Sequence, residues 1–219
     1  MKGLLRSNFY AAIDTARIVV VMLVVLEIVL VVSGSAALLS MLTLAVAPLL
    51  ALMAVASQRR ENQLKWSRYK LTFPIRRCYI IRSQYLSHLF WSLGGTAMAA
   101  LFLALTLLVH GDQYFYYGFR DALTLVLGGA ILAMLIGAIA YPLILLLGYT
   151  RTEVAMIAGT IGAIGVVTAL SLLINIFTES DNITNNIYYV SLIFIMLIGM
   201  VLCCASYQLT ARLFEKQEF

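Results

Sequence analysis

The sequence predicts an all-α integral membrane protein: six transmembrane helices, both termini cytoplasmic, and a short cytoplasmic helix between spans 2 and 3. Three observations carry that prediction. Hydrophobic residues make up 63% of the 219 and charged residues only 11%, where a soluble domain carries about 25% charge. Long apolar stretches recur six times, each near the ~20 residues needed to cross a ~30 Å hydrocarbon core. Fourteen of the fifteen Lys and Arg residues fall in segments that six crossings place on one face, the cytoplasmic face by the positive-inside rule.

The elements follow in order. Residues 1–16 read as an interfacial helix, with Leu4, Leu5, Phe9 and Ile13 near one face and Lys2, Arg6 and Asp14 elsewhere. Spans are expected near 17–33, 36–56, 85–109, 121–147, 154–177 and 187–209, all within a single transmembrane domain covering 1–219. Only Ser33-Gly34-Ser35 separates the first two, and together they are too long for one span, so they form a tight helical hairpin. Pro48 in span 2 and Pro142 in span 4 each remove a backbone hydrogen bond and permit a bend. Small residues recur at four-residue spacing in span 4 (Gly129, Ala133, Gly137) and span 5 (Ala155/Gly159, Ala158/Gly162). Such spacing lets helices approach closely, and packing within one subunit is its expected use. Alternating ten-residue strands of the barrel type are not seen, which leaves helices to satisfy the backbone in lipid. A cleavable leader is not expected, because no small-residue cleavage site follows a short apolar core.

Net charge of +5 is explained by this topology and needs no nucleic acid. The basic residues are unevenly spread. Residues 57–84 hold eight of the fourteen inward bases, whereas the opposite face holds only Arg120.

Chemistry-bearing motifs are few. The sequence has no phosphate-binding GxxxxGK[ST], no HExxH, no GxSxG and no CxxC. His88 and His110 stand near opposite ends of span 3, and Cys78, Cys203 and Cys204 have no zinc or redox spacing. No metal or catalytic residues are therefore assigned, and an intramembrane enzyme lacks a nucleophile–base pair. Glu27 is the one carboxylate well inside a span. An ionised carboxylate there costs several kcal/mol unless paired or hydrated. Either it faces a water-filled path or subunit interface, or it reaches headgroups beyond Ser33.

The 57–84 connection is the informative stretch. Glu61 and Lys65 are four apart in the order that favours a helical ion pair. Trp66, Tyr69 and Phe73 recur at three and four, giving a short helix an aromatic face, and Pro74 ends it. Such a basic amphipathic segment lies on anionic headgroups or docks into a groove on a cytoplasmic protein.

The run from Glu61 through Trp66, Tyr69, Leu71, Thr72 and Pro74 to Arg77, continuing to Ile81 and Tyr85, resembles the loop of ABC-2 type transporter permeases. Two positions depart from that pattern: Arg76 stands where a small hydroxyl residue is common, and Gln84 replaces the usual Lys before Tyr85. The resemblance implies a permease subunit of an ATP-driven exporter in a bacterial cell membrane. A second permease copy would pair with it, as a homodimer rather than a heterodimer. A separate ABC-type ATP-binding subunit would hold ATP and Mg, and this chain would hold no cofactor and catalyse no reaction. Glu61, Trp66, Tyr69, Phe73, Pro74 and Arg77 would dock that subunit, making the short helix a coupling helix. Family architecture suggests spans 1, 2 and 5 near the dimer interface, which nominates Glu27 and Pro48 for the transport path. Some similar permeases export amphipathic peptides such as phenol-soluble modulins, so the expected substrate is an amphipathic peptide or lipid-like molecule. The competing reading is a stand-alone immunity or scaffold protein whose basic loop binds anionic membrane lipid.

Overall fold

The computed structural model describes residues 2–33, 35–64, 77–111, 119–178 and 185–216. Among them the chain is helical almost throughout and contains no strand. The helices are α1 (Lys2–Ser33), α2 (Ala36–Gln63), α3 (Arg77–His110), α4 (Phe119–Leu147), α5 (Thr152–Thr178) and α6 (Asn185–Lys216), with a 3-10 turn at Tyr149–Arg151. Five are long and apolar enough to cross a bilayer, and α1 makes a sixth when its two arms count as one span.

A 55° bend separates the α1 arms Gly3–Asp14 and Ala16–Val32, where the interfacial helix was expected to give way to span 1. The first arm is fastened to the bundle as well. Leu4, Asn8, Ala12 and Ala16 are its buried stripe, and Phe9 stacks on Trp91 at 5.6 Å and meets Phe90 edge-on at 5.5 Å. Of the predicted apolar face, Leu4 falls in the inward stripe, whereas Phe9 packs along the side of α3.

Helices overrun the expected spans at one end of the bundle. The second continues to Gln63 and the third begins at Arg77, so the 57–84 connection is helical at both its ends. Likewise α6 continues past 209 to Lys216. Polar residues end a hydropathy run without ending a helix, and neither 57–63 nor 77–84 contains Gly or Pro to break one.

Helix α4 is the axis of the molecule. It packs on α2, α3, α5 and α6, and 56% of its apolar window is buried, against 11% for α5. Lipid tails are as apolar as the side chains, so close packing rather than apolar burial holds such helices together. The glycines show how close that packing is. A Cβ at Gly129 would lie 2.9 Å from the Leu44 carbonyl oxygen, and one at Gly95 would lie 2.7 Å from Ala47 Cα. Gly159 and Gly162 of α5 face Ala140 and Ile139 of α4. The small-residue spacings read from the sequence therefore serve contacts inside one subunit, with Gly165 standing in open space.

The α1 arm, the C-terminal ends of α2, α4 and α6, and the start of α3 converge in one core that includes Leu4, Val55, Ile81, Ile144 and Phe214. The start of α1 at Lys2, the end of α2 at Gln63, the start of α3 at Arg77 and the end of α6 at Lys216 lie at this end, with Arg59, Arg60, Arg82 and Arg212. It is the basic end of the bundle.

Candidate functional site

At the basic end, the last two turns of α2 and the first three turns of α3 bury polar side chains. Ser57, Gln58 and Glu61 face inward from α2, and Ser83, Gln84, Ser87 and His88 from α3. Within a membrane bundle each must find a partner in the protein. Gln84 Nε2 donates to Gln58 Oε1 at 2.7 Å, tying α3 to α2. Asn8 Nδ2 donates to Ser83 Oγ at 3.0 Å, tying α3 to the α1 arm.

A second layer lies one turn deeper. The Tyr85 hydroxyl is 2.7 Å from Ser206 Oγ and 2.9 Å from Thr210 Oγ1 on α6. Ser206 already donates to the Ala138 carbonyl of α4, and Thr210 to the Ser206 carbonyl. Tyr85 is therefore the donor, and α3, α4 and α6 meet at one hydroxyl. His88 Nε2 donates to the Ala133 carbonyl of α4 at 2.9 Å, with its ring edge-on to Tyr141 at 5.4 Å. Only Gly137 leaves room for that ring, because a Cβ there would collide with the imidazole.

Ion pairs fasten the rim. Arg59 pairs with Glu153 in the first turn of α5, and Arg60 with Asp14 at the α1 bend, at 3.4 Å. Neighbouring arginines on α2 thus hold the elements on either side of it.

Of the predicted docking residues, Glu61 is 4% exposed in the last turn of α2, with Tyr141 and Tyr149 near its carboxylate. It is part of the bundle wall rather than an outward face. Arg77 opens α3 on the surface, where its guanidinium donates to the Glu215 carbonyl of α6 at 3.4 Å. Trp66, Tyr69, Phe73 and Pro74 lie outside the described residues, as does the short helix expected to carry them. Glu27 and Pro48 are not brought together. Glu27 is fully buried, and neither carboxylate oxygen has a hydrogen-bond partner among the described residues. It sits one turn beyond Leu23, which packs with Val46, Leu50 and Ala99, so the seam is that of α1, α2 and α3. The carboxylate is enclosed among these helices. Pro48 lines a separate cavity of about 190 Å³ with Leu132 and Ile136 of α4 and Thr160 and Ile164 of α5.

Sequence reasoning missed Asn8, Gln58, Tyr141, Ser206 and Thr210, and it named Tyr85 only as the end of the family-like run. A signal existed in α3, where Gln84, His88 and Ser92 recur every four residues in a helix otherwise apolar enough to span.

The molecule is a multi-pass helical membrane protein, and the described ends of its basic connection are held by buried polar contacts. The chain matches the ABC-2 family transporter protein family over residues 3–215, and it belongs to that family. It is a permease subunit of an ABC transporter, the membrane component that works with an ATP-binding subunit. No curated protein and no solved structure matches it.

Proposed function

We propose that this chain is the permease of an exporter, paired as two identical copies, that moves an amphipathic peptide or lipid-like molecule out of a bacterial cell by alternating access. The basic end faces the cytoplasm, as its load of Lys and Arg supports. Each copy docks a separate ABC-type ATP-binding subunit, which holds ATP and Mg, through the connection between Gln63 and Arg77.

The observation that carries this reading is the clamp at the ends of that connection. Gln58–Gln84 joins α2 to α3, Asn8–Ser83 joins α3 to α1, and Tyr85 joins α3 to Ser206 of α6, which itself donates to α4. A push delivered between Gln63 and Arg77 moves the α2–α3 pair as one lever against α4. Trp66, Tyr69, Phe73 and Pro74 supply the contact with the partner, and Glu61 and Arg77 hold the ends of the connection in register. Glu27 and Pro48 line the moving seams on either side of α2.

The test is co-purification with an ATP-binding subunit and substrate-stimulated ATP turnover in the reconstituted pair. Trp66→Ala with Tyr69→Ala should abolish both. Unchanged association and turnover would overturn the docking role. Salt-sensitive binding to anionic vesicles without any ATPase partner would favour a stand-alone membrane protein instead.

A further inference from the structure

The bent α1 arm and α3 enclose a groove of about 440 Å³ walled by Leu5 and Phe9 from the arm and Leu86, Leu89 and Leu93 from α3. Its size lies in the ~300–1,000 Å³ range of small-molecule sites, which share this pattern of apolar walls with a few polar groups. Arg6 is the one charged residue lining it among the described residues. Its guanidinium lies over the Tyr10 ring at 5.6 Å. Asp14, the acid of the same arm, is engaged by Arg60 at 3.4 Å instead. A cation thus stands at an apolar slot without a carboxylate paired to it among the described residues.

The groove has a definite place. Asn8–Ser83 fixes the arm to the first turns of α3, and the 55° bend turns it away from the span. That puts Arg6 at the basic end and the leucines of α3 progressively deeper in the bilayer.

We infer that this groove holds one anionic phospholipid of the leaflet at the basic end, with its phosphate on Arg6 and an acyl chain between the arm and α3. The site is distinct from the connection between Gln63 and Arg77. Charge selects an anion over a zwitterion. Depth selects an acyl chain: Leu86, Leu89 and Leu93 run from the basic end into the apolar length of α3, so the slot continues into the hydrocarbon. The lipid fills the slot between the arm and α3.

Trp91 reports on this seat, since it stacks on Phe9 at 5.6 Å and is one of only two tryptophans. The experiment uses the full chain carrying Trp66→Phe, in vesicles of phosphatidylcholine doped with acyl-brominated phosphatidylglycerol or acyl-brominated phosphatidylcholine. Trp91 should be quenched at about fivefold lower mole fraction of the anionic lipid, as expected for one basic side chain at a membrane surface. Arg6→Gln should remove that preference and Arg6→Lys keep it. Leu89→Phe with Leu93→Phe, which narrows the slot and leaves the charge, should weaken quenching by both lipids at unchanged helical content. Equal quenching by both lipids in the parent, or a preference that survives Arg6→Gln, would overturn the inference. No ATP-binding subunit is present, so the outcome is independent of the exporter reading.

Discussion

Tyr85, His88 and Glu27 are three buried polar residues with different accounts. At Tyr85 the hydroxyl donates to groups whose own hydrogens are already used on carbonyls. Tyr85→Phe therefore leaves no donor stranded, and it should lower stability by only about 1 kcal/mol, the usual scale for a hydrogen bond between membrane helices. At His88 the limit is steric. Gly137→Ala drives a methyl into an imidazole held by the Ala133 carbonyl, with an overpacking cost of about 1–3 kcal/mol. In thermal unfolding this corresponds to a fall of roughly 2–12 °C. Combining it with His88→Ala should cost less than the sum, because the two sites share one contact. Glu27 carries two oxygens with no partner among the described residues. Glu27→Gln keeps the shape and removes the charge, so assembly should persist and the unfolding midpoint should rise by a few degrees. Transport by the reconstituted pair should change as well, and wild-type transport would remove Glu27 from the path.

The elements were largely legible in the sequence, because lipid allows a single way of satisfying the backbone and six apolar runs fix where it is used. The Ser33–Ser35 break falls between α1 and α2, and the division of α1 near residue 16 appears as a bend. What hydropathy could not show were the ends of α2 and α3. Those turns are polar yet lie inside protein, and hydropathy scores a buried Gln like an exposed one. The pairing of Gln58 with Gln84 needed tertiary structure, since partners on two helices share no sequence period. Their contact also separates stability from coupling. Gln84→Leu alone should strand Gln58 and cost about 1–3 kcal/mol, whereas Gln58→Leu with Gln84→Leu should recover most of that loss. If the α2–α3 pair transmits the push, the double variant should keep the ATP-binding subunit bound and keep coupled turnover. Recovered stability with lost coupling would mean that the polar contact itself, and not the rigidity of the pair, carries the signal.

For the whole molecule, the unequal burial of the helices argues where the second copy of the proposed pair would sit. Exposed apolar residues do not by themselves require a partner, because lipid solvates them as well as protein does. Exposed small or polar residues are more informative, since they offer lipid little to pack against and let another backbone approach. The outward face of α1 carries Ile18, Val21, Met22, Val25 and Val29, a surface suited to acyl chains. That of α5 also carries Ile157, Ile161, Ile164 and Leu172, but it is interrupted by Gly165, where an added Cβ would meet nothing within 4 Å, and by the exposed Thr168, whose hydroxyl turns back to the Ile164 carbonyl. The helix is also attached chiefly to α4, with little contact to α6. A second copy is therefore expected on α5. In a background with Cys78, Cys203 and Cys204 replaced, Thr168→Cys should cross-link two chains in the membrane, whereas Val21→Cys should not. Gly165→Leu should weaken the pair without unfolding the subunit, because the added side chain meets nothing inside it. Cross-linking from Val21→Cys with none from Thr168→Cys would move the interface to α1, and with it the seam of Glu27.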